Sequence, residues 1–248
     1  MMKTAIITGG NRGIGLGITS SFLKSGYKVV VGARSDTGIQ DQFDSNIKFV
    51  FMDVKDEMGH QKLIKTAMDW TGNVHVYINN AGFSEWRPIQ NIDEAFFNEM
   101  INVNLKGTFW GCKVAANYLE PNGTIINISS IAGKRGTVNN SMYCASKFGV
   151  NGLTQALSKE LGPKQIRVNA VCPVLISTKG LIDALDSPFS PAKDNIKNFL
   201  ETFAENQSAL GRLPNKEEVG SVCVFLASDE ASAITGQCIN IDCGVLPQ

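Results

Sequence analysis

Histidine is almost absent from this sequence. His60 and His75 are the only two in 248 residues, and neither stands near a pair of cysteines. A zinc site built from His and Cys ligands is therefore not expected, and no other metal-ligand spacing stands out. The six cysteines (Cys112, Cys144, Cys172, Cys223, Cys238 and Cys243) contain no Cys-x2-Cys pair and lie among apolar residues. Reduced, buried thiols in a cytoplasmic protein are the expected reading. A surplus of charge is also missing: Lys plus Arg and Asp plus Glu both number 23. That argues against a nucleic-acid partner, which usually needs a basic stripe. The longest apolar runs reach only about seven residues against the 18 or so of a membrane helix, so no membrane association is expected. The stretch Met1–Thr8 turns polar and Gly-rich too soon for a signal peptide.

What is present is alternation. Short Val- and Ile-rich runs at 5–8, 28–32, 47–52, 74–79, 124–129, 167–172 and 238–241 read as buried strands. Segments with helical spacing lie between them, at roughly 13–25, 56–71, 93–118, 142–161 and 216–228. The pattern predicts an α/β fold: a single-domain, doubly wound (Rossmann) arrangement over residues 1–248, with a seven-stranded parallel sheet and helices on both faces. The connection from about 174 to 213 is unusually long, carries Pro188 and Pro191, and has a helical patch near 192–205. Its place after a strand's C-terminal end reads as a substrate lid.

The first strand runs into Thr8-Gly9-Gly10-Asn11-Arg12-Gly13-Ile14-Gly15. Glycines there permit a tight turn and let a pyrophosphate approach main-chain N–H groups at the start of a helix. No Gly-Lys-Ser/Thr follows, so the turn is not a P-loop. With its spacing Gly-x3-Gly-x-Gly, the sequence resembles the short-chain dehydrogenase/reductase family. More motifs of that family follow in order: Asn79-Asn80-Ala81-Gly82, Asn104, Ser129-Ser130 and Tyr143-Cys144-Ala145-Ser146-Lys147. Gly9, Asp53, Asn80, Ser130 and Pro173 all fall just past the ends of successive strands, the edge at which an open parallel sheet binds ligand.

Tyr143 and Lys147 are four apart and share a helix face. A nearby ammonium favours a phenolate, so a lowered Tyr143 pKa is expected, and with it general acid/base chemistry on an alcohol or carbonyl. Ser130 can orient the reacting oxygen. The resemblance implies the same roles: Tyr143 as acid/base, Ser130 as orienter, Lys147 as ribose holder and pKa modifier, and Asn104 as holder of a water in a proton relay. It also implies a dinucleotide site made of Gly9, Asn11, Arg12, Gly13, Ile14, Gly15, Arg34, Ser35, Asp53, Val54, Asn80, Ala81, Gly82, Tyr143, Lys147, Pro173, Ile176 and Thr178. Asp53 matches the position that meets the adenine amino group, and a helix N-cap is the competing reading.

The second strand ends Val31-Gly32-Ala33-Arg34-Ser35. No acid stands at Ala33 to accept from a ribose 2′-OH, while Arg34 and Arg12 could converge on a 2′-phosphate. NADP(H) is favoured, with NAD(H) as the second reading and Asp36 as the residue that would support it. The sequence departs from the family pattern at Pro173-Val174, in place of Pro-Gly, and at Asp242-Cys243-Gly244, in place of Asp-Gly-Gly. The expected activity is hydride transfer between NADP(H) and a ketone or secondary alcohol. A non-catalytic dinucleotide-binding sensor or scaffold, an NAD-dependent sugar or alcohol dehydrogenase, and dehydration or epimerisation on the same scaffold are the alternatives. Phe83, Trp86, Arg87, Lys134, Arg135, Asn139, Val174 and the lid are the expected rim of the substrate pocket. The cations among them would suit an anionic substrate if they do not simply face water. The resemblance further implies a homotetramer or homodimer built on the helices near 93–118 and 142–161 and on the last strand.

Overall fold

A computed structural model describes residues 3–43, 45–192 and 195–247. Seven strands form one sheet: β1 (Thr4–Thr8), β2 (Lys28–Ala33), β3 (Ile47–Phe51), β4 (Val76–Asn79), β5 (Thr124–Ile128), β6 (Arg167–Pro173) and β7 (Cys238–Ile241). Their spatial order is β3-β2-β1-β4-β5-β6-β7, and every pairing is parallel. The helices are α1 (Gly13–Lys24), α2 (Ile39–Gln42), α3 (Glu57–Thr71), α4 (Glu94–Ile101), α5 (Gly107–Tyr118), α6 (Ser141–Leu161), α7 (Lys179–Leu185), α8 (Ile196–Gln207) and α9 (Lys216–Ala227).

The two-residue period of the strands explains the two cores. Ala5, Ile7, Val29 and Val31 pack with Ile18 and Phe22 of α1 and Val219, Cys223 and Leu226 of α9. The alternate residues Ile6 and Val30 point the other way, onto Leu63 and Ile64 of α3 and Cys112 and Ala115 of α5. A sheet covered on both faces needs apolar residues at every position, which is why the strands read as continuous Val/Ile runs. The chain leaves β1 for β2 on one side and reaches β4 on the other, so the order reverses beside β1. The crevice at such a switch point is where doubly wound sheets bind ligands.

Three details depart from the sequence reading. The helix expected over 93–118 is α4 and α5 joined by a π-helical turn, Asn102–Lys106. A wide turn of this kind inserts an extra residue into the helix and re-aims the side chains it carries. The N-cap of α3 is Asp56, whose side chain accepts from Met58 N, so the capping role weighed for Asp53 belongs to the aspartate three residues later. The long connection holds α7, which the sequence reading missed, and α8, displaced by a few residues from the expected patch. Ala184, Leu185 and Ala192 of this region form a small apolar cluster with Trp86 from the loop after β4. Among the described residues no helix is long and apolar enough to cross a membrane.

Candidate active site

A cleft of about 1170 Å3 runs along the C-terminal edge of the sheet. Its dinucleotide end is built on the turn after β1. Gly9 and Gly13 take positive φ, 64° and 53°. A Cβ on Gly15 would run into the Gly9 carbonyl and come within 2.5 Å of Asn80 Nδ2. Asn80 fastens that turn from the next strand: its Nδ2 donates to Thr8 O (2.9 Å) and Gly9 O (3.2 Å). Thr8 Oγ1 accepts in return from Asn80 N (3.0 Å) and Ala81 N (3.1 Å). Asn79, one residue earlier, points into the sheet and donates to Asn127 Oδ1 at 2.9 Å.

The end of β2 is tied to the same turn, since Asn11 Nδ2 donates to Ser35 O at 2.7 Å. The tie brings Arg12 and Arg34 to one wall of the cleft beside Ala33 and Ser35. Both arginines are exposed, and neither makes an ion pair among the described residues. Asp36 turns into its own loop, its Oδ1 accepting from Gly38 N at 2.9 Å, and it does not line the cleft. Asp53 and Val54 line the cleft, with Asp53 Oδ1 accepting from Lys55 N at 3.0 Å. Ile14, Gly82, Ile176 and Thr178 complete this half; Pro173 lies beneath the lining, its carbonyl 3.4 Å from Ser130 Oγ.

At the other end α6 presents Tyr143 and Lys147. Lys147 is buried, with Nζ donating to Ile128 O at 2.9 Å and lying 5.7 Å from the centre of the Tyr143 ring. Ser130 caps the short turn Ile131–Gly133, accepting from Ala132 N at 3.1 Å. Desolvation pushes the Tyr143 phenol up to about 12, with the hydrogen bond to Ser130 pulling the other way. Burial pushes the Lys147 ammonium down to about 8. The lowered Tyr143 pKa expected from the sequence is thus reversed, because desolvation disfavours the charged form of both groups and exceeds the opposing pull of the Ser130 hydrogen bond. At neutral pH the pair is a phenol that can give a proton and an ammonium close to its own titration point.

Asn104 is buried on the π-helical turn, away from the cleft lining. Its Nδ2 donates to Phe83 O (2.8 Å), and its Oδ1 accepts from Phe83 N (3.0 Å). The side chain clamps the loop after β4, so any water in a relay would have to use another atom. Of the expected substrate rim, Phe83, Trp86, Arg135 and Val174 line the cleft, whereas Arg87, Lys134 and Asn139 do not. Arg87 is held by Glu85 (2.8 Å) and Asp93 (3.9 Å) and stacks 4.2 Å from the Phe96 ring. Of the cations weighed for the mouth, Arg135 alone lines the cleft. The expected lid segment contributes Leu175, Phe199 and Phe203 to the cleft wall, and the sequence reading missed Ser84 and Asn140, which also line it. Asn140 carried a signal: it stands one helical turn before Tyr143.

Comparison with known proteins places this geometry. A family model described as enoyl-(acyl carrier protein) reductase matches residues 9–246. The chain is 34% identical to L-2,3-butanediol dehydrogenase of Corynebacterium glutamicum, covering 99% of both chains. It is 33% identical to a 3-oxoacyl-[acyl-carrier-protein] reductase of Thermotoga maritima, covering 98% of both. The chain belongs to the short-chain dehydrogenase/reductase family. A short-chain glucose/ribitol dehydrogenase from Brucella melitensis superposes with a TM-score of 0.90 at 30% identity, over 99% of this chain and 97% of that one. The aldohexose dehydrogenase of Thermoplasma acidophilum gives 0.88 at 30%, over 100% and 98%. As a member of this family the protein is an NAD(P)(H)-dependent oxidoreductase that interconverts carbonyl and alcohol.

Proposed function

We propose that this short-chain dehydrogenase/reductase is an NADP(H)-dependent carbonyl reductase of ketones, running in reverse on secondary alcohols. The observation that carries the reading is the placement of Tyr143, Ser130 and Lys147 at one end of a cleft whose other end is a glycine cradle flanked by two arginines that make no ion pair among the described residues. The relatives are named as dehydrogenases or reductases of a diol, an oxoacyl chain and an aldohexose, which supports a carbonyl as the reacting group.

The residues present fit a dinucleotide. Gly15 leaves no room for a side chain where main-chain N–H groups must face a pyrophosphate. Arg12 and Arg34 would hold the 2′-phosphate, Asp53 and Val54 the adenine, Lys147 the ribose, and Ile176 and Thr178 the nicotinamide side. When bound, the cofactor supplies or accepts a hydride. Ser130 donates a hydrogen bond to the substrate oxygen, and Tyr143 gives that oxygen its proton. A phenol held near 12 stays protonated at neutral pH, so reduction starts with its acid loaded. Lys147 keeps a positive charge beside the forming alkoxide, and Asn104 acts as a positioning residue through the Phe83 loop. The 174–213 segment serves as the lid, its Leu175, Phe199 and Phe203 shielding the reaction from water.

Exposed Phe109, Tyr118 and Phe148 on α5 and α6 support a dimer or tetramer built on those helices. Buried free thiols at Cys112, Cys144, Cys172 and Cys223 suit the reducing cytoplasm. The reading is tested by following NADPH and NADH oxidation with simple ketones, in parent and Tyr143→Phe. The parent should prefer NADPH. The variant should bind NADPH nearly as well and lose turnover by about 100-fold or more, the range for a lost general acid. Turnover within tenfold of the parent would remove Tyr143 from the chemistry.

A further inference from the structure

Ser84 Oγ, Trp86 Nε1 and Asn140 Oδ1 are shut away from solvent and have no hydrogen-bond partner among the described residues. All three residues line the cleft. Trp86 is 5% exposed and Asn140 4%. A buried polar atom left without a partner costs about 1–3 kcal/mol, so such atoms grouped in one wall call for a ligand or water to satisfy them.

The backbone brings the chain segments of two of these residues, Trp86 and Asn140, together. Arg87 N, directly after Trp86, donates to Asn139 O, directly before Asn140, at 2.6 Å. The lid holds the same seam: Ser187 Oγ donates to Trp86 O (3.2 Å), and Asn139 Nδ2 donates to Phe189 O (3.1 Å). Asn140 occupies the N-cap position of α6, where an Asn side chain ordinarily accepts from the helix's first turn. Here it makes no capping bond. It stands one helical turn before Tyr143, at the reacting end of the cleft. The three groups also complement one another: the indole N–H only donates, the amide oxygen only accepts, and the hydroxyl does both. A hydroxyl is the small group that can satisfy a donor and an acceptor together.

We propose that the substrate carries a hydroxyl next to the reacting carbonyl, and that Ser84, Trp86 and Asn140 recognise it. The preferred substrates are then α-hydroxyketones in reduction and vicinal diols in oxidation, with an apolar remainder against Leu175, Phe199 and Phe203. The inference rests on the carbonyl-reductase reading above. A site built to hydrogen-bond a substrate hydroxyl rejects the analogue that lacks it far more strongly than an apolar pocket rejects a missing methylene.

The test measures kcat/KM with NADPH for 1-hydroxy-2-butanone against 2-butanone, and for 3-hydroxy-2-butanone against the same ketone. The hydroxyketones should be favoured by roughly 100-fold or more. The preference should fall about tenfold in Trp86→Phe, which keeps a ring in the lid cluster, and in Asn140→Ala, which touches no lid contact. Equal efficiency for ketone and hydroxyketone in the parent would overturn the inference while leaving the reductase reading intact. So would a preference unchanged in both variants. No turnover of any of the ketones would overturn the reductase reading and this inference with it.

Discussion

The two ends of the cleft are built by opposite means. At the dinucleotide end the polar side chains of the chain are already engaged with one another: Asn80 holds Thr8 and Gly9, Asn11 holds Ser35, and Thr8 holds the loop after β4. What remains free there, among the described residues, is main-chain N–H and the two arginines. At the substrate end the wall comes from the β4 loop, the start of α6 and the lid, and it keeps buried polar atoms without partners among the described residues. A cradle preorganised by backbone suits a ligand that never changes. A wall of side chains on loops can be altered one residue at a time without disturbing the sheet.

The strongest way to break this contrast is Gly15→Ala. The added methyl would meet the Gly9 carbonyl and the Asn80 amide, neither of which can yield without opening the turn. Dinucleotide binding should vanish in a fluorescence titration, and stability should fall by about 3 kcal/mol, the upper part of the overpacking range. Wild-type affinity would mean that the turn is far softer than its hydrogen bonds imply.

Next in size come the arginines. Truncating Arg34 or Arg12 to Ala should weaken NADPH by roughly 1.5–3 kcal/mol each, the range for hydrogen bonds to charged groups, while NADH changes little. Ala33→Asp combined with Arg34→Ala should carry the preference over to NADH. If parent and variants all favour NADPH equally, another cation holds the phosphate. If the parent favours NADH, the ribose is read by a group other than this pair.

Much of this architecture could be read before the structure, and the residues show why. Strands buried on both faces leave continuous runs such as Val29–Val31, and glycine at 9, 13 and 15 announces a turn that only glycine can make. Tyr143 and Lys147 share a face by helical arithmetic alone. The π-helical turn at Asn102–Lys106 left no such mark, because one extra residue in a helix does not disturb the apolar spacing on either side. Nor did α7: seven residues between loops are too few to show a period. Arg87 was misjudged because its partners Glu85 and Asp93 come close only when the β4 loop folds back. The sign of the Tyr143 shift depended on desolvation, a property of the finished cleft that spacing along the chain does not encode.

That shift yields a smaller effect, confined to the catalytic end. The phenol near 12 supplies the proton at any ordinary pH, so it cannot limit reduction. Lys147, held near 8, can. Its charged form is the one proposed to hold the ribose and favour the alkoxide, and it is lost as pH rises through that value. Reduction should be level up to pH ~8 and then fall toward about tenfold per unit, while oxidation should show no plateau set by Tyr143 below pH ~10. A reduction profile flat from pH 7 to ~10, with chemistry limiting, would take Lys147 out of this role.

The smallest expected effect concerns the strap behind the lid. Cys243 adopts φ 53°, a left-handed conformation that costs a residue with a Cβ about 1–2 kcal/mol. It is kept there by the turn that Asp242 organises, accepting from Gly244 N (3.0 Å) and Leu246 N (2.8 Å). The strap matters to the substrate end because the Cys243 carbonyl receives Ser208 Oγ (3.0 Å) and Leu210 N (3.1 Å), just after α8. Those bonds use only main-chain atoms of Cys243, so Cys243→Gly should retain them and relieve the strain. Glycine's extra freedom in the unfolded chain takes back about 0.4–1 kcal/mol. The net gain should be near ~0.5 kcal/mol, a rise in Tm of roughly 1–2 °C for a chain of this size. NADPH affinity should not move, since no atom of the strap reaches the glycine cradle. A lower Tm would show that the thiol makes a packing contact worth more than the strain. A changed NADPH affinity would show that the two ends of the cleft are coupled through the lid, which the separate construction described above does not allow.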